Sequence, residues 1–435
     1  MSSHARDATQ GGYLNPLSSI RRVFYGHWIV AFTFLCLTVA MGCGSFVYSL
    51  FVQPLQEAMA WSRGEIMAGY TVFFVTMGLV SPLVGRVVDL QGARKVMPLG
   101  ALIMGLGFAL LSVMNGLYVL YLGYVLVGVG AAGFASVPCS AVVSNWFKKR
   151  RGTAIGLMSS GIGAGGVVMP PIVSYLLGNV GWRGAYFALA VITWVAVIPL
   201  SLLVLRTKPA ELGLYPDNDA TAPVEAMGAK GSSREGIPLR VAIGTAAFWL
   251  IAMSFVLSAF GRMGALQSQG PNLIDLGFAA GTAAVALSII GFGSGVGKFI
   301  FGWLCDRTSL KLAGATGILL QTASILVILS VTRDSPMVSI WVYSLLLGLG
   351  AGSWLPILSM MTSSSFGLRH YGSIFGVISL LLNIGTAAGP LAAGVMFDSM
   401  GTYRAAFIVC TALSIAAVPM ILLVRRPDRA LAESV

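Results

Sequence analysis

Two cations in this sequence stand where an uncompensated charge is most costly. Lys298 falls inside a long apolar stretch, eight residues before Asp306, and Arg262 falls inside another. Every Asp and Glu can be placed outside such stretches: Glu65 opens one, Asp398 closes one, and the rest lie in loops or tails. A lone cation in a hydrocarbon setting costs a few kcal/mol, so it normally faces a cavity and marks function. Two cations without an embedded acid invite one kind of chemistry, the binding of an anion. At about 1.5 Å per residue, Lys298 lies roughly 12 Å inside the end of its stretch, near the middle of a hydrocarbon core about 30 Å thick. Arg262 lies in the outer part of its stretch, where snorkelling to the interface competes with a functional role. Tyr70, Tyr121, Tyr124, Trp354 and Asn383 are the polar or aromatic companions that could line the same cavity. A tyrosine hydroxyl can donate to a carboxylate while its ring packs on a short aliphatic chain. Tyr121 and Tyr124, three residues apart, share a helix face. Membership of an interfacial aromatic belt is the competing reading, and Tyr118, Tyr121 and Trp341 fit it as well.

The elements that must position these residues are membrane spans. Hydrophobic residues make up 57% of the chain and charged residues 10%, far from the balance of a soluble domain. Apolar stretches long enough to cross a bilayer recur at roughly 24–52, 64–86, 96–114, 117–141, 152–178, 183–205, 242–268, 279–303, 312–332, 337–362, 372–397 and 403–424. The expected fold is therefore an all-α membrane protein of twelve helices, six in each of two pseudo-symmetric halves. The halves are 1–205 and 241–435, joined by a linker at 206–240 rich in Pro, Gly, Ser and charges of both signs. The net charge of +12 follows this topology. With the N-terminus inside, 21 of the 27 Lys and Arg fall in cytoplasmic segments and four, Arg63, Arg183, Arg333 and Arg404, fall outside. That asymmetry places both termini in the cytoplasm of a cell membrane, expected to be a bacterial inner membrane. It reports contact with lipid, not with nucleic acid. The N-terminal 25 residues hold no separate apolar stretch with a small-residue cleavage site, so no cleaved signal peptide is expected. The five cysteines have no paired spacing, which argues for packing residues over disulfides or a metal site.

The two halves are homologous. Gly85-Arg86-Val87-Val88-Asp89 with Arg94 and Lys95 is answered by Gly302-Trp303-Leu304-Cys305-Asp306 with Arg307 and Lys311. Asn145-Trp146-Phe147 leading to Gly152 is answered by Ser365-Phe366-Gly367 leading to Gly372, and Trp182-Arg183 by Tyr403-Arg404. Trp28 answers to Trp249 and Pro138 to Pro356. Such a repeat in one orientation is the plan of a solute carrier whose site lies between the halves.

Gly85-x-x-x-Asp89-x-x-Gly92-Ala93-Arg94-Lys95 resembles the loop signature of the major facilitator superfamily, with a weaker copy at Gly302-x-x-x-Asp306-Arg307. Pro54-Leu55-Gln56 before Trp61-Ser62-Arg63, and Asn145-Trp146-Phe147 with Lys148 to Ala154, resemble the branch of monocarboxylate transporters and oxalate–formate antiporters. The resemblance implies that Asp89, Arg94, Lys95, Asp306 and Arg307 form a conformational gate and do not touch substrate. Topogenic charge is the plainer explanation of the basic members. It also implies that Lys298 stands where the branch usually places a substrate-binding arginine. Lysine keeps the charge but loses the bidentate fork. Two further departures concern coupling and selectivity. Proton-linked members often carry an aspartate one turn earlier, where this chain has Ser294; the antiporter's lysine of span 11 has Asn383 in its place.

Other patterns are discounted. Gly161 to Gly166 contains dinucleotide-like spacing but lies inside an apolar span with no preceding strand. Small residues at Gly152, Gly156, Ser160, Gly161 and Gly165 are expected to form a rocking surface between the halves, with Pro170-Pro171 bending or breaking the helix. Gly291, Gly293, Gly295 and Gly297 flank the approach to Lys298. No nucleophile–base set is evident, so an enzyme is not expected. The expected function is alternating-access transport of a small organic anion, a monocarboxylate in first place, by a monomer in the lipid bilayer with no cofactor. The alternatives are an exporter of amphipathic compounds and a non-transporting nutrient receptor on the same scaffold.

Overall fold

A computed structural model describes residues 24–61, 63–218 and 236–425. The centre of the linker and several basic residues of the tails lie outside the described residues. Among those described, eleven helices are long and apolar enough to cross a membrane. One of them, Arg151–Leu203, runs for 53 residues, about 80 Å, which is far more than a bilayer requires. It is two spans joined at Gly181, whose φ of 67° leaves the helical region. The total is then twelve.

Span 1 is Tyr25–Phe46, its last turn a π-helix at Gly42–Phe46, and it continues as Tyr48–Met59. Spans 2 and 3 are Arg63–Gln91 and Ala93–Ser112. Span 4 is broken into Leu117–Phe134 and Ser136–Trp146. Spans 5 and 6 are 151–180 and 182–203. Spans 7, 8 and 9 are Ala246–Asp275, Ala280–Arg307 and Leu310–Ser330. Span 10 is again broken, into Met337–Gly352 and Trp354–Phe366. Spans 11 and 12 are Tyr371–Met400 and Arg404–Leu423. The breaks in spans 4 and 10 are repeat partners with one cause. Pro138 and Pro356 sit in the first turn of each second segment, where a missing N–H is tolerated and an uninterrupted helix is not. Pro170 and Pro171 do not break span 5, which keeps helical geometry through both.

The linker and the ends of spans 1 and 12 share one side, here termed the linker face. Tyr25 Oη donates to Val204 O at 2.7 Å, and Trp146 Nε1 to Arg206 O at 2.8 Å. At the other end of the linker, Ile237 N donates to Phe366 O at 2.9 Å. The halves meet along two seams, span 5 against span 8 and span 2 against span 11. Both are closed by glycine at the linker face. A Cβ on Gly152 would run into the Gly302 carbonyl, and one on Gly85 into that of Gly372. Both loosen away from that face: Gly163 stands 3.6 Å from Gly295 Cα by the same measure, and Gly291 and Gly394 meet nothing within 4 Å. The expected rocking surface is thus shorter than the small-residue run. Gly152 and Gly156 face the other half, whereas Gly161 and Gly165 pack on Phe34 and Thr38 of span 1. Two glycines one residue further on point to a different side because a helix turns 100° per residue.

Candidate functional site

Lys298 is buried, with 2% of its surface exposed. Its Nζ donates to Ser294 Oγ at 2.5 Å and lies 3.4 Å from Ser294 O, one turn earlier on the same helix. The amine is therefore held back against the preceding turn of its own helix. Arg262 lies on span 7, which packs beside the span 8 that carries Lys298. Among the described residues neither cation has a carboxylate partner. Close packing fixes the depth of the site. Gly297 and Gly293 press against Gly348 and Leu349 of span 10, and Gly352 presses against Gly297 and Lys298. Gly291 and Gly295, on the alternate side of span 8, face open space, so only half of the glycine run flanks an approach.

The N-terminal half contributes tyrosines. Tyr48, Tyr70, Tyr124 and Tyr186 form one cluster, with ring centroids 5.1 Å apart for Tyr48–Tyr70 and 4.8 Å for Tyr48–Tyr124. Tyr124 is buried, its Oη 3.0 Å from that of Tyr186, and Tyr48 Oη donates to Ile66 O. Tyr121 donates to Glu65 O at 3.1 Å near the far end of span 2. Both tyrosines lie against span 2, Tyr121 at Glu65 and Tyr124 at Gly69, but a three-residue step leaves a 60° difference in direction and only Tyr124 is buried in the tyrosine cluster. Tyr70 is half-buried and pairs with Ser45 of the π-helical turn at 2.9 Å. Ser45 has no sequence signal beyond its glycine neighbours; the π-turn that aims it is visible only in three dimensions. Asn383 lies on the seam of spans 2 and 11, its Nδ2 against Gly78. Trp354 opens the second segment of span 10 and is half-buried.

At the linker face each half holds a helix start of the other. Asp89 Oδ1 accepts from Gly372 N at 2.8 Å, and its Oδ2 accepts from Ser373 N and Oγ at 2.7 Å each. Asp306 repeats this on span 5, accepting from Gly152 N at 2.7 Å, Thr153 N at 2.7 Å and Thr153 Oγ1 at 2.6 Å. A carboxylate on the free N–H groups of a helix start gains from both the hydrogen bonds and the positive end of the helix dipole. The basic residues do not cross the seam. Arg94 donates to Leu202 O at 3.3 Å in its own half, Arg307 covers Trp303 of its own helix at 4.7 Å, and Lys95 is exposed. The partners that complete the arrangement are Gly152-Thr153 and Gly372-Ser373. Their signal in the sequence is a glycine followed by a hydroxyl at matching places in the repeat.

A sequence model of the Major Facilitator Superfamily matches residues 33–273 and 252–434. Monocarboxylate transporter 11 of Mus musculus is 25% identical over 338 residues, 76% of this chain and 72% of that protein. Monocarboxylate transporter 12-B of Danio rerio is 26% identical over 437 residues, 93% of this chain and 87% of that protein. An uncharacterized MFS-type transporter, YcxA of Bacillus subtilis, is 25% identical over 405 residues, 88% and 91% of the two chains. In fold the chain is similar to the proton:xylose symporter XylE, with a TM-score of 0.73 at 15% identity, covering 93% of this chain and 97% of that one. It is likewise similar to the E. coli fucose:proton symporter FucP, with a TM-score of 0.69 at 15% identity over 92% and 100%. Twelve spans, two homologous halves and a family match running nearly end to end agree: the chain belongs to the Major Facilitator Superfamily and is a membrane transporter, not an enzyme.

Proposed function

We propose that the transporter carries a small organic anion, a monocarboxylate in the first instance, and that Lys298 binds the carboxylate. The observation that carries this reading is the presence of two cations, Lys298 and Arg262, on neighbouring spans with no carboxylate partner among the described residues. Like charges on neighbouring helices in a low-dielectric interior repel, and a bound anion relieves that repulsion. In this reading Ser294 presets the lysine amine, Arg262 completes the charge on the outer side, and the N-terminal half contributes the Tyr70–Ser45 pair. Tyr121, Tyr124, Trp354 and Asn383 shape the walls. The names of the relatives from Mus musculus and Danio rerio point to the same substrate class.

Asp89 and Asp306 form the gate in this reading. With both termini in the cytoplasm, the linker face is the cytoplasmic face, and the structure is the state closed toward it. A bacterial inner membrane is the setting, and one copy holds a whole path, so a monomer suffices. The test is uptake of labelled small carboxylates by proteoliposomes. Lys298→Ala abolishes saturable uptake while leaving the protein inserted and monodisperse, and Lys298→Arg retains part of it because charge matters more than donor number. Unaltered uptake kinetics in the alanine variant would overturn the assignment, and binding without flux in the parent protein would favour a receptor.

A further inference from the structure

One buried amide ties the span that carries Arg262 to the span that packs on Lys298. Gln321 of span 9 is 1% exposed. Its Nε2 donates to Gly350 O of span 10 at 2.9 Å, and its Oε1 accepts from Ser258 Oγ of span 7 at 3.2 Å. The orientation of the amide follows from the Gly350 carbonyl, which can only accept. Ser258 stands four residues before Arg262, about 6 Å along the same helix. At the break in span 10, Ser353 Oγ adds a second donor to Gly350 O at 2.7 Å. Gly352, two residues on and about 200° around the helix, presses instead on the backbone of Gly297 and Lys298. The end of this helix is thus wedged between the amide on one side and the lysine's own backbone on the other. The direct polar contact between spans 7 and 10, Tyr343 Oη to Ala265 O, is long at 3.5 Å.

The repeat shows that the fold does not require this amide. At the offset that relates Asp89 to Asp306, Gln321 answers to Met104; at that of Trp28 and Trp249, Ser258 answers to Leu37. The packing agrees, since a Cβ on Gly130 would meet Met104 N as one on Gly350 would meet Gln321 N. Met104 and Leu37 are both fully buried. The N-terminal half therefore builds the same backbone arrangement from apolar side chains, and the polar pair stands in the half that carries the two cations. A buried amide in a membrane interior costs free energy unless its bonds are made, so a position where methionine also serves calls for another reason. We propose that Gln321 is a positioning residue for the anion site. By bridging spans 7 and 10, with Ser258 as its partner, it fixes where Arg262 and Lys298 stand relative to one another. It touches no substrate. A carboxylate met by two cations binds more weakly when their spacing is free to vary, because part of the binding energy then goes to ordering the site. The proposal rests on the anion reading above and deepens it by naming what sets the spacing of the charges.

Gln321→Met installs the residue of the other half, with similar length, and strands the Ser258 hydroxyl. Adding Ser258→Ala removes the stranded group and reproduces the apolar chemistry of Met104 and Leu37. Together the variants separate positioning from stability. If the amide only stabilised the fold, the double variant would regain both thermal stability and the parent's helix spacing. Positioning predicts that it regains thermal stability alone. The spacing is read without any anion, from spin labels at Ile274→Cys and Val338→Cys, near the ends of spans 7 and 10 away from the linker face. Both positions are exposed, and the five native cysteines are buried. The labels lie in one half, so rocking of the halves leaves their distance unchanged. Pulsed dipolar spectroscopy in nanodiscs should show a moved or broadened distance distribution in both variants. A double variant with the parent's distribution would overturn the proposal, and this variant carries the test if Gln321→Met alone does not fold. Uptake of labelled acetate, propionate and lactate by proteoliposomes gives the second readout. KM should rise about fivefold in both variants, with the maximum rate held within about twofold. A KM restored to the parent's value in the double variant would likewise overturn the proposal. If the parent protein takes up none of the three acids, the anion assignment falls, and the label distances still decide whether Gln321 sets the spacing of these spans.

Discussion

Asp89→Asn tests the gate with almost no change of shape. In the closed structure both carboxylate oxygens are occupied by the start of span 11, through Gly372 N at 2.8 Å and Ser373 N and Oγ at 2.7 Å each. Asparagine keeps one acceptor and turns an amide N–H toward an N–H, so at least one of the three bonds is lost. Hydrogen bonds to a charged acceptor contribute about 1.5–3 kcal/mol each against about 1 for a neutral one, and a charge at a helix start adds about 0.3–1. The sum exceeds 3 kcal/mol for a fully enclosed group. Asp89 is only half-buried, so about 2 kcal/mol is the working figure. That corresponds to a shift of about thirtyfold in the ratio of closed to open linker face. A ratio near 100:1 would fall to about 3:1, and the outward-competent fraction would drop by only about a quarter. Apparent affinity from outside should then scarcely change, whereas accessibility of the linker-face seam should rise strongly. The assay is the alkylation rate of a cysteine placed on that seam, run beside competition of labelled anion uptake by a panel of carboxylates. If Asp89→Asn changed which anions compete, or left accessibility unmoved, the gate reasoning would be refuted. Asp306→Asn should match it in sign and size, because its three bonds repeat those of Asp89.

Three further outcomes follow from the same geometry. Gly85→Ala should lock the linker face open, because the new Cβ would occupy the place of the Gly372 carbonyl; a protein that is still closed by the same cysteine assay would show that the seam can yield. Ser294→Ala should weaken anion binding from about three- to tenfold without abolishing transport, since it frees the Lys298 amine held at 2.5 Å but leaves the charge, and substrate titration of uptake measures it. An inward proton gradient alone should drive little accumulation, whereas internal unlabelled anion should accelerate uptake of external label. Both are measured in proteoliposomes at clamped potential, and accumulation collapsed by a protonophore would make Lys298 the titrating group and overturn the uncoupled reading.

The sequence alone determined the membrane character, the twelve spans and the repeat. These rest on local physics: a bilayer demands about 20 apolar residues per helix, and homologous halves repeat their glycines and prolines at a near-constant offset. It also marked Lys298 and Arg262, because a cation in an apolar stretch is costly wherever the chain folds. It marked Asp89 and Asp306 by repetition, but not what they hold. That their partners are Gly372-Ser373 and Gly152-Thr153, each in the opposite half, depends on how two six-helix units face one another, and no sequence period encodes that. Ser140 against Ser359, 219 residues apart, is set in the same way, whereas Tyr124 against Tyr186 and Ser45 against Tyr70, 62 and 25 residues apart, are set by helix packing inside one half. Hydrophobicity tells a residue to leave water, and in a membrane chain lipid satisfies that demand as well as a protein core does. Which polar groups turn inward, and which of them find partners, is decided by packing between helices, so it became legible only in the tertiary structure.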